Sequence, residues 1–215
     1  MTNKRYRGIE IVYDDLDIED MLKNVGLEDV FEYKDLEERK LYLTGEVGVY
    51  NTTDLVQKIL NYNADDKGIA PEERKPIKLY ITSEGGDVQS GFGLLDTILR
   101  SKTPVYTINT AYWYSMALMI GMAGHKRFAM PDSSILLHDG SNFVYNSSNK
   151  VQDQMDFFKK LEARMKALVL ARTNMTSKTY DKKARVEWYM LADEAKELGF
   201  IDYIIGEDCD LDEVL

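Results

Sequence analysis

Four short stretches carry residue types from which a hydrolytic site could be built. Ser115 opens a run rich in Met and Ala, directly after Ala111-Tyr-Trp-Tyr114. A serine there either caps the helix that follows, its hydroxyl accepting a first-turn N–H, or stands as a nucleophile where free N–H groups favour developing negative charge. His138 ends an apolar strand before Asp139-Gly140. It is either a boundary residue or a general base held rigidly at the mouth of a cleft. Glu187 lies beside Trp188 and Tyr189. It is either solvated or partly covered by those rings and able to orient a histidine. Gly85-Gly86 separates a strand from a helix. Either it is only a tight turn, or its N–H groups face a ligand or a developing oxyanion. The G-x-G-x-x-G spacing and the P-loop lysine are missing, so nucleotide binding is not supported. The other histidine, His125, reads as a polar turn residue.

These residues need strands and helices to hold them. Lys40–Thr44, Ile77–Thr82, Pro104–Asn109, Arg127–Met130 and Ser134–Leu137 read as strands, and Ile201–Ile205 ends the ordered part. Between them, Thr52–Tyr62 (with Thr53 as N-cap), Val88–Arg100, Ser115–Gly124, Lys150–Ala171 and Ala192–Leu198 read as helices. The helix over 150–171 is the most amphipathic, with Val151, Met155, Phe158, Leu161, Met165 and Leu168 on one stripe. Residues 63–76, with Gly68, Pro71 and Pro76, read as a solvated loop. Alternating strands and helices over 40–205 predict an α/β domain with a mainly parallel sheet. Residues 1–38 read as a charged, helix-bearing arm and 206–215 as an acidic tail.

Composition narrows the function. The 215 residues carry 27 Lys and Arg against 37 Asp and Glu, a net charge of −10. A polyanion is repelled by that field, so nucleic acid is not an expected partner. The single cysteine, Cys209, cannot form an internal disulfide, and no Cys/His cluster has zinc-ligand spacing. No cofactor or metal is expected. There is no signal-peptide pattern or stretch long enough to span a bilayer, which predicts a cytoplasmic protein with no membrane partner.

Taken in order, the fragments resemble the Clp protease proteolytic subunit family. Leu79-Tyr-Ile-Thr-Ser-Glu-Gly-Gly-Asp-Val-Gln-Ser-Gly-Phe-Gly93 is similar to its Gly-Gly segment. Tyr114-Ser-Met116, Gly121-Met-Ala-Gly124, Lys126-Arg-Phe-Ala-Met-Pro131 and Ile135-Leu-Leu-His138 resemble its nucleophile helix and histidine strand. Leu191-Ala-Asp-Glu-Ala-Lys-Glu-Leu-Gly-Phe-Ile-Asp202 resembles its C-terminal signature. The resemblance covers about Arg39 to Ile205. It implies a ClpP/crotonase-like single domain of repeated ββα units with a protruding handle helix, the handle running from Gly140 through the helix at Lys150. It implies Ser115 as nucleophile, His138 as general base, Glu187 as the acid, and the Gly86 and Met116 N–H groups as the oxyanion hole. It also implies heptameric rings stacked to a tetradecamer around a chamber, fed by an AAA+ unfoldase, with proteins and peptides as substrates.

The chain departs from the family pattern in four places. Glu187 stands where the family most often has Asp, with Asp181 and Asp193 as the other candidate acids. Tyr112-Trp-Tyr114 replaces small residues before the serine, which predicts Trp113 on a reshaped pocket, in a subunit contact or in the core. Residues 63–76 are longer than in the family, and residues 1–38 do not match its axial loop. The acid segment resembles that of phage-encoded relatives that process capsid proteins. The expected function is therefore serine endopeptidase. Two alternatives stand beside it: a non-catalytic ring subunit or assembly factor, and a crotonase-fold acyl-CoA enzyme, which would act through carboxylates.

Overall fold

The computed structural model describes residues 3–6, 9–12, 27–140 and 148–215. The chain divides into two compact units, Met1–Arg39 and Lys40–Leu215. The first holds an antiparallel pair, β1 (Asn3–Tyr6) and β2 (Ile9–Val12), and helix α1 (Leu27–Glu38). The arm is thus helix-bearing, as expected, and also contains a strand pair. Its acidic stretch at Asp14–Asp20 and its apolar Met21, Leu22 and Val25 lie outside the described residues, as do 141–147 at the start of the expected handle.

The second unit is built on a seven-stranded sheet. Its parallel part runs β3 (Lys40–Thr44), β4 (Ile77–Ser83), β5 (Val105–Tyr114), β6 (Lys126–Ala129) and β9 (Tyr203–Ile204). Strand β4 is buried on both faces, as a central parallel strand must be. The β-branched and aromatic run of β5 extends five residues past the expected end at Asn109. That extension does two jobs. Residues 105–109 pair with β4 and β6, while Tyr112–Tyr114 pair with β7 (Ser134–Leu137). Strand β8 (Trp188–Leu191) then adds antiparallel to β7.

Helices α2 (Val49–Asp65), α3 (Val88–Arg100) and α4 (Met116–Met122) follow β3, β4 and β5 in turn. Thr53 does not cap α2. The helix begins at Val49, because the Asn51 Oδ1 folds back to accept the Gly48 N–H at 3.0 Å. All seven residues of α4 are buried, which suits a segment apolar on every side. Trp113 is fully buried as well, and it packs where Gly121 leaves room: a Cβ there would lie 2.4 Å from the indole Cε3. It is a core residue, and the pocket and subunit-contact alternatives do not hold.

Helix α5 (Ser148–Arg172) is followed by α6 (Ser177–Lys183), β8 and α7 (Ala192–Glu197). Neither α6 nor β8 is evident from the sequence pattern. The acidic tail is not a loose end. It forms a short 3₁₀ turn (Leu211–Val214), and Val214 is buried against Ile108, Phe128 and Ile205.

One ion pair ties the C-terminal segment to the sheet. The Arg127 Nε and backbone N–H both donate to Asp202 Oδ2 at 2.9 Å, and Nη2 donates to Oδ1. The guanidinium also reaches the Arg172 and Gly199 carbonyls at 3.0 and 2.7 Å. Removing the carboxylate strands a largely buried cation. Asp202→Ala should therefore cost about 3–5 kcal/mol, measured as a lower urea midpoint with unchanged slope.

Candidate active site

Strand β5 turns into α4 at Ser115 without an intervening loop. The turn requires Ser115 to adopt φ 54°, ψ −123°, a positive φ that costs a non-glycine residue about 1–3 kcal/mol. The surroundings enforce it. The Ser115 N–H donates to the Leu136 carbonyl at 3.1 Å, and the Ser115 carbonyl accepts the Leu118 N–H at 3.1 Å. The hydroxyl makes no cap hydrogen bond. Of the two local readings of this serine, the capping one therefore fails.

The Gly85-Gly86 turn lies against Ser115. A Cβ on Gly85 would sit 2.7 Å from both Ser115 Cβ and the Tyr114 carbonyl oxygen, and 2.9 Å from the Met116 nitrogen. On the other side, Val47 bridges Gly86 in parallel: its N–H donates to the Gly85 carbonyl at 2.7 Å and its carbonyl accepts the Asp87 N–H at 2.8 Å. In such a bridge the N–H of the residue opposite, Gly86, points away from the partner strand. Among the described residues no acceptor takes the Gly86 N–H or the Met116 N–H.

Ser115, Gly86, Met116 and His138 line one cleft of about 470 Å³. Its apolar walls are Met119, Leu136, Phe158, Leu161 and Met165, and Glu84, Asp139 and Glu162 supply carboxylates. Strand β7 carries His138 to the cleft at its C-terminal end. The imidazole Nε2 is buried and has no hydrogen-bond partner among the described residues. No hydrogen bond joins it to Ser115, a separation that catalytic pairs show in the unliganded state.

Glu187 does not line the cleft and is exposed. Its Oε2 accepts the Tyr189 hydroxyl at 3.0 Å, and no hydrogen bond links it to His138. The register nevertheless sets the two near each other. The β7–β8 ladder pairs Leu136 with Tyr189 and Leu137 with Trp188. The ladder ends there: His138 is the residue that leaves β7 and Glu187 the one that enters β8. Beyond it the chain no longer keeps that register, and the Asp139 N–H donates to the Ala184 carbonyl at 2.7 Å.

The other two acids are not brought to the histidine. Asp181 is exposed and bound to Lys166 Nζ at 2.6 Å, which holds its carboxyl below the usual range. Asp193 follows Leu191, the β8 residue paired with Ser134 at the far end of β7 from His138. Four residues of strand, about 13 Å, separate those ends.

The sequence places Tyr114 in the stretch that reshapes the pocket and Tyr189 beside Glu187, whereas it does not assign the α5 residues Phe158, Leu161 and Met165 to the cleft. Tyr114 lines the cleft, meets the Tyr189 ring edge-on at 5.5 Å, and shares a hydrogen bond with Ser134 Oγ at 3.0 Å. The signal for Tyr189 lay in the β7–β8 register, which sequence periodicity alone does not give. Among the described residues no group of His, Cys, Asp and Glu could hold a metal ion, and no helix is long and apolar enough to cross a membrane.

A mostly parallel α/β sheet carries a serine at a strand-to-helix turn and a histidine in the same cleft. The chain belongs to the Clp protease family, whose sequence profile matches residues 27–208. That membership supports a peptidase. The matched span begins twelve residues before Arg39, where the recognisable motifs start, and so takes in α1.

Two substitutions test the architecture of the turn. Gly85→Ala should abolish reaction of Ser115 with a fluorophosphonate, because the added methyl collides with the Ser115 Cβ, the Tyr114 carbonyl and the Met116 nitrogen, and the native φ of +94° disfavours alanine. Trp113→Ala should lower stability by about 3–5 kcal/mol and reduce all peptidase rates together, leaving the cleavage profile of a peptide library unchanged.

Proposed function

We propose that this protein is a serine endopeptidase. The observation that carries the reading is the Ser115 turn: a serine at positive φ, its hydroxyl free of any cap, opening on a cleft shared with an unpartnered histidine nitrogen. His138 takes the proton as Ser115 Oγ attacks the peptide carbonyl. The N–H groups of Gly86 and Met116 stabilise the tetrahedral oxyanion. The imidazolium returns the proton to the leaving amine, and water activated by the same histidine frees the acyl-enzyme. Glu187 accepts the other imidazole N–H and fixes the tautomer. Its extra methylene, compared with Asp, lets it reach from a backbone set further away.

The subunits assemble into heptameric rings stacked face to face as a tetradecamer, enclosing the sites. An AAA+ unfoldase delivers protein substrates in the cytoplasm. Helix α5 supports that assembly, since Met155 of its apolar stripe is 39% exposed, and a second copy would cover it.

One observation favours the reading of a non-catalytic ring subunit or assembly factor: no hydrogen bonds connect Ser115, His138 and Glu187. Fluorophosphonate labelling separates the readings. Labelling confined to Ser115 and lost in Ser115→Ala supports the peptidase. A protein that never labels is a ring subunit or an acyl-CoA enzyme of the related crotonase fold.

Ser115→Ala should reduce hydrolysis of fluorogenic peptides to the residue left when a triad member is lost, roughly 10³–10⁴ over water. Glu187→Gln should keep the fold and lower kcat by up to about 10⁴, because an amide neither fixes the tautomer nor stabilises the imidazolium. A harmless Glu187→Gln beside a crippling Asp181→Asn would move the acid. Light scattering should report a large homo-oligomer, and a fully active monomer at micromolar concentration would refute the ring.

A further inference from the structure

The Glu187 carboxylate has two oxygens, and one is already engaged. Tyr189 donates its hydroxyl to Oε2 at 3.0 Å, leaving Oε1 free to accept. Glu187 directly precedes β8, and Tyr189 pairs on the ladder with Leu136, two residues before His138. Tyr189 is 52% exposed, so burial alone does not fix its ring. What holds it is Tyr114, whose ring meets it at 5.5 Å and 86° and is itself tied down by Ser134. Tyr114 immediately precedes Ser115. A continuous set of contacts thus runs from the serine turn through two tyrosines to the acid.

We propose that Tyr189 is a positioning residue for Glu187: its hydroxyl fixes the carboxylate so that Oε1 is presented to His138, with the Tyr114 ring holding Tyr189 in place. The inference rests on the serine peptidase reading and adds a residue to it. A glutamate has one more rotatable bond than an aspartate, and a second hydrogen bond takes up that freedom. Donation to a carboxylate also pushes the Tyr189 phenol above its usual pKa, which keeps its proton in place over the neutral range.

Tyr189→Phe tests this in the full-length protein, because it keeps the ring and its contact with Tyr114 and removes only the donor. The expected result is an unchanged melting temperature, an unchanged KM and a kcat lower by about tenfold, the scale of one hydrogen bond to a charged group. In a Glu187→Gln background the same change should alter the rate less than about twofold, since the tyrosine acts through the carboxylate. Wild-type kcat in Tyr189→Phe, with Ser115 labelled and Glu187→Gln impaired, would overturn the inference and leave the peptidase standing. An equal kcat loss in both backgrounds, or an effect on KM alone, would overturn it too. Wild-type protein that neither labels nor hydrolyses peptides removes both readings.

Discussion

The second unit depends on one close approach of backbone to backbone. The turn leaving β4 and the turn leaving β5 meet at Gly85 and Ser115, where even a methyl group would lie 2.7 Å from its neighbours. Parallel strands end on the same side of a sheet, and ligand sites of α/β folds lie beyond those ends. Here the two turns are pressed together, so the free N–H groups of Gly86 and Met116 and the Ser115 side chain open on one cleft. Val47 clamps the glycine turn from outside through two hydrogen bonds, and Leu136 clamps the serine turn from inside through one. The positive φ of Ser115 persists because both sides of it are fixed.

The second requirement is the length of β5. A strand ending at Asn109 would pair only with β4 and β6. Its extension to Tyr114 gives β7 an edge to join, and β7 in turn gives β8 an edge. His138 reaches the cleft of Ser115 at the end of β7, and Glu187 lies just ahead of β8, outside the cleft. The β7–β8 register sets which faces these strands turn to the cleft, and a slip of one residue would reverse them.

Much of this was legible beforehand. The strands at 40, 77 and 134, the helix at Val88 and the long helix after Lys150 stand out because each carries a clear period or a clear stop, although the Val88 helix, not the Lys150 one, has the more sharply divided faces. Ser115, His138 and the glycine pair stand out as polar or small residues at the ends of apolar elements. What was hidden has physical causes. Thr53 looked like a cap, but Asn51 folds back and starts the helix earlier. Trp113 read as a pocket, contact or core residue, because its place beside the serine does not choose among them. The alternation of β5 points it inward, onto Gly121. Tyr189 is an exposed residue in a four-residue strand, and its sequence neighbours do not show its contact with Tyr114, which comes from the ladder.

Helix α5 has a mechanical consequence. Phe158, Leu161 and Met165 form part of the cleft wall, while Met155 and Phe157 stand exposed on the same 25-residue rod. Met155 lies about 15 Å along the axis from Met165. A tilt of about 5° about the Met165 end displaces Met155 by about 1 Å, and a force on the exposed turns is passed to the wall with little loss along a continuous helix. Phe158, about 10 Å from Met165 on the same rod, moves by a little less than Met155 does, so a tilt of the helix changes the width of the cleft.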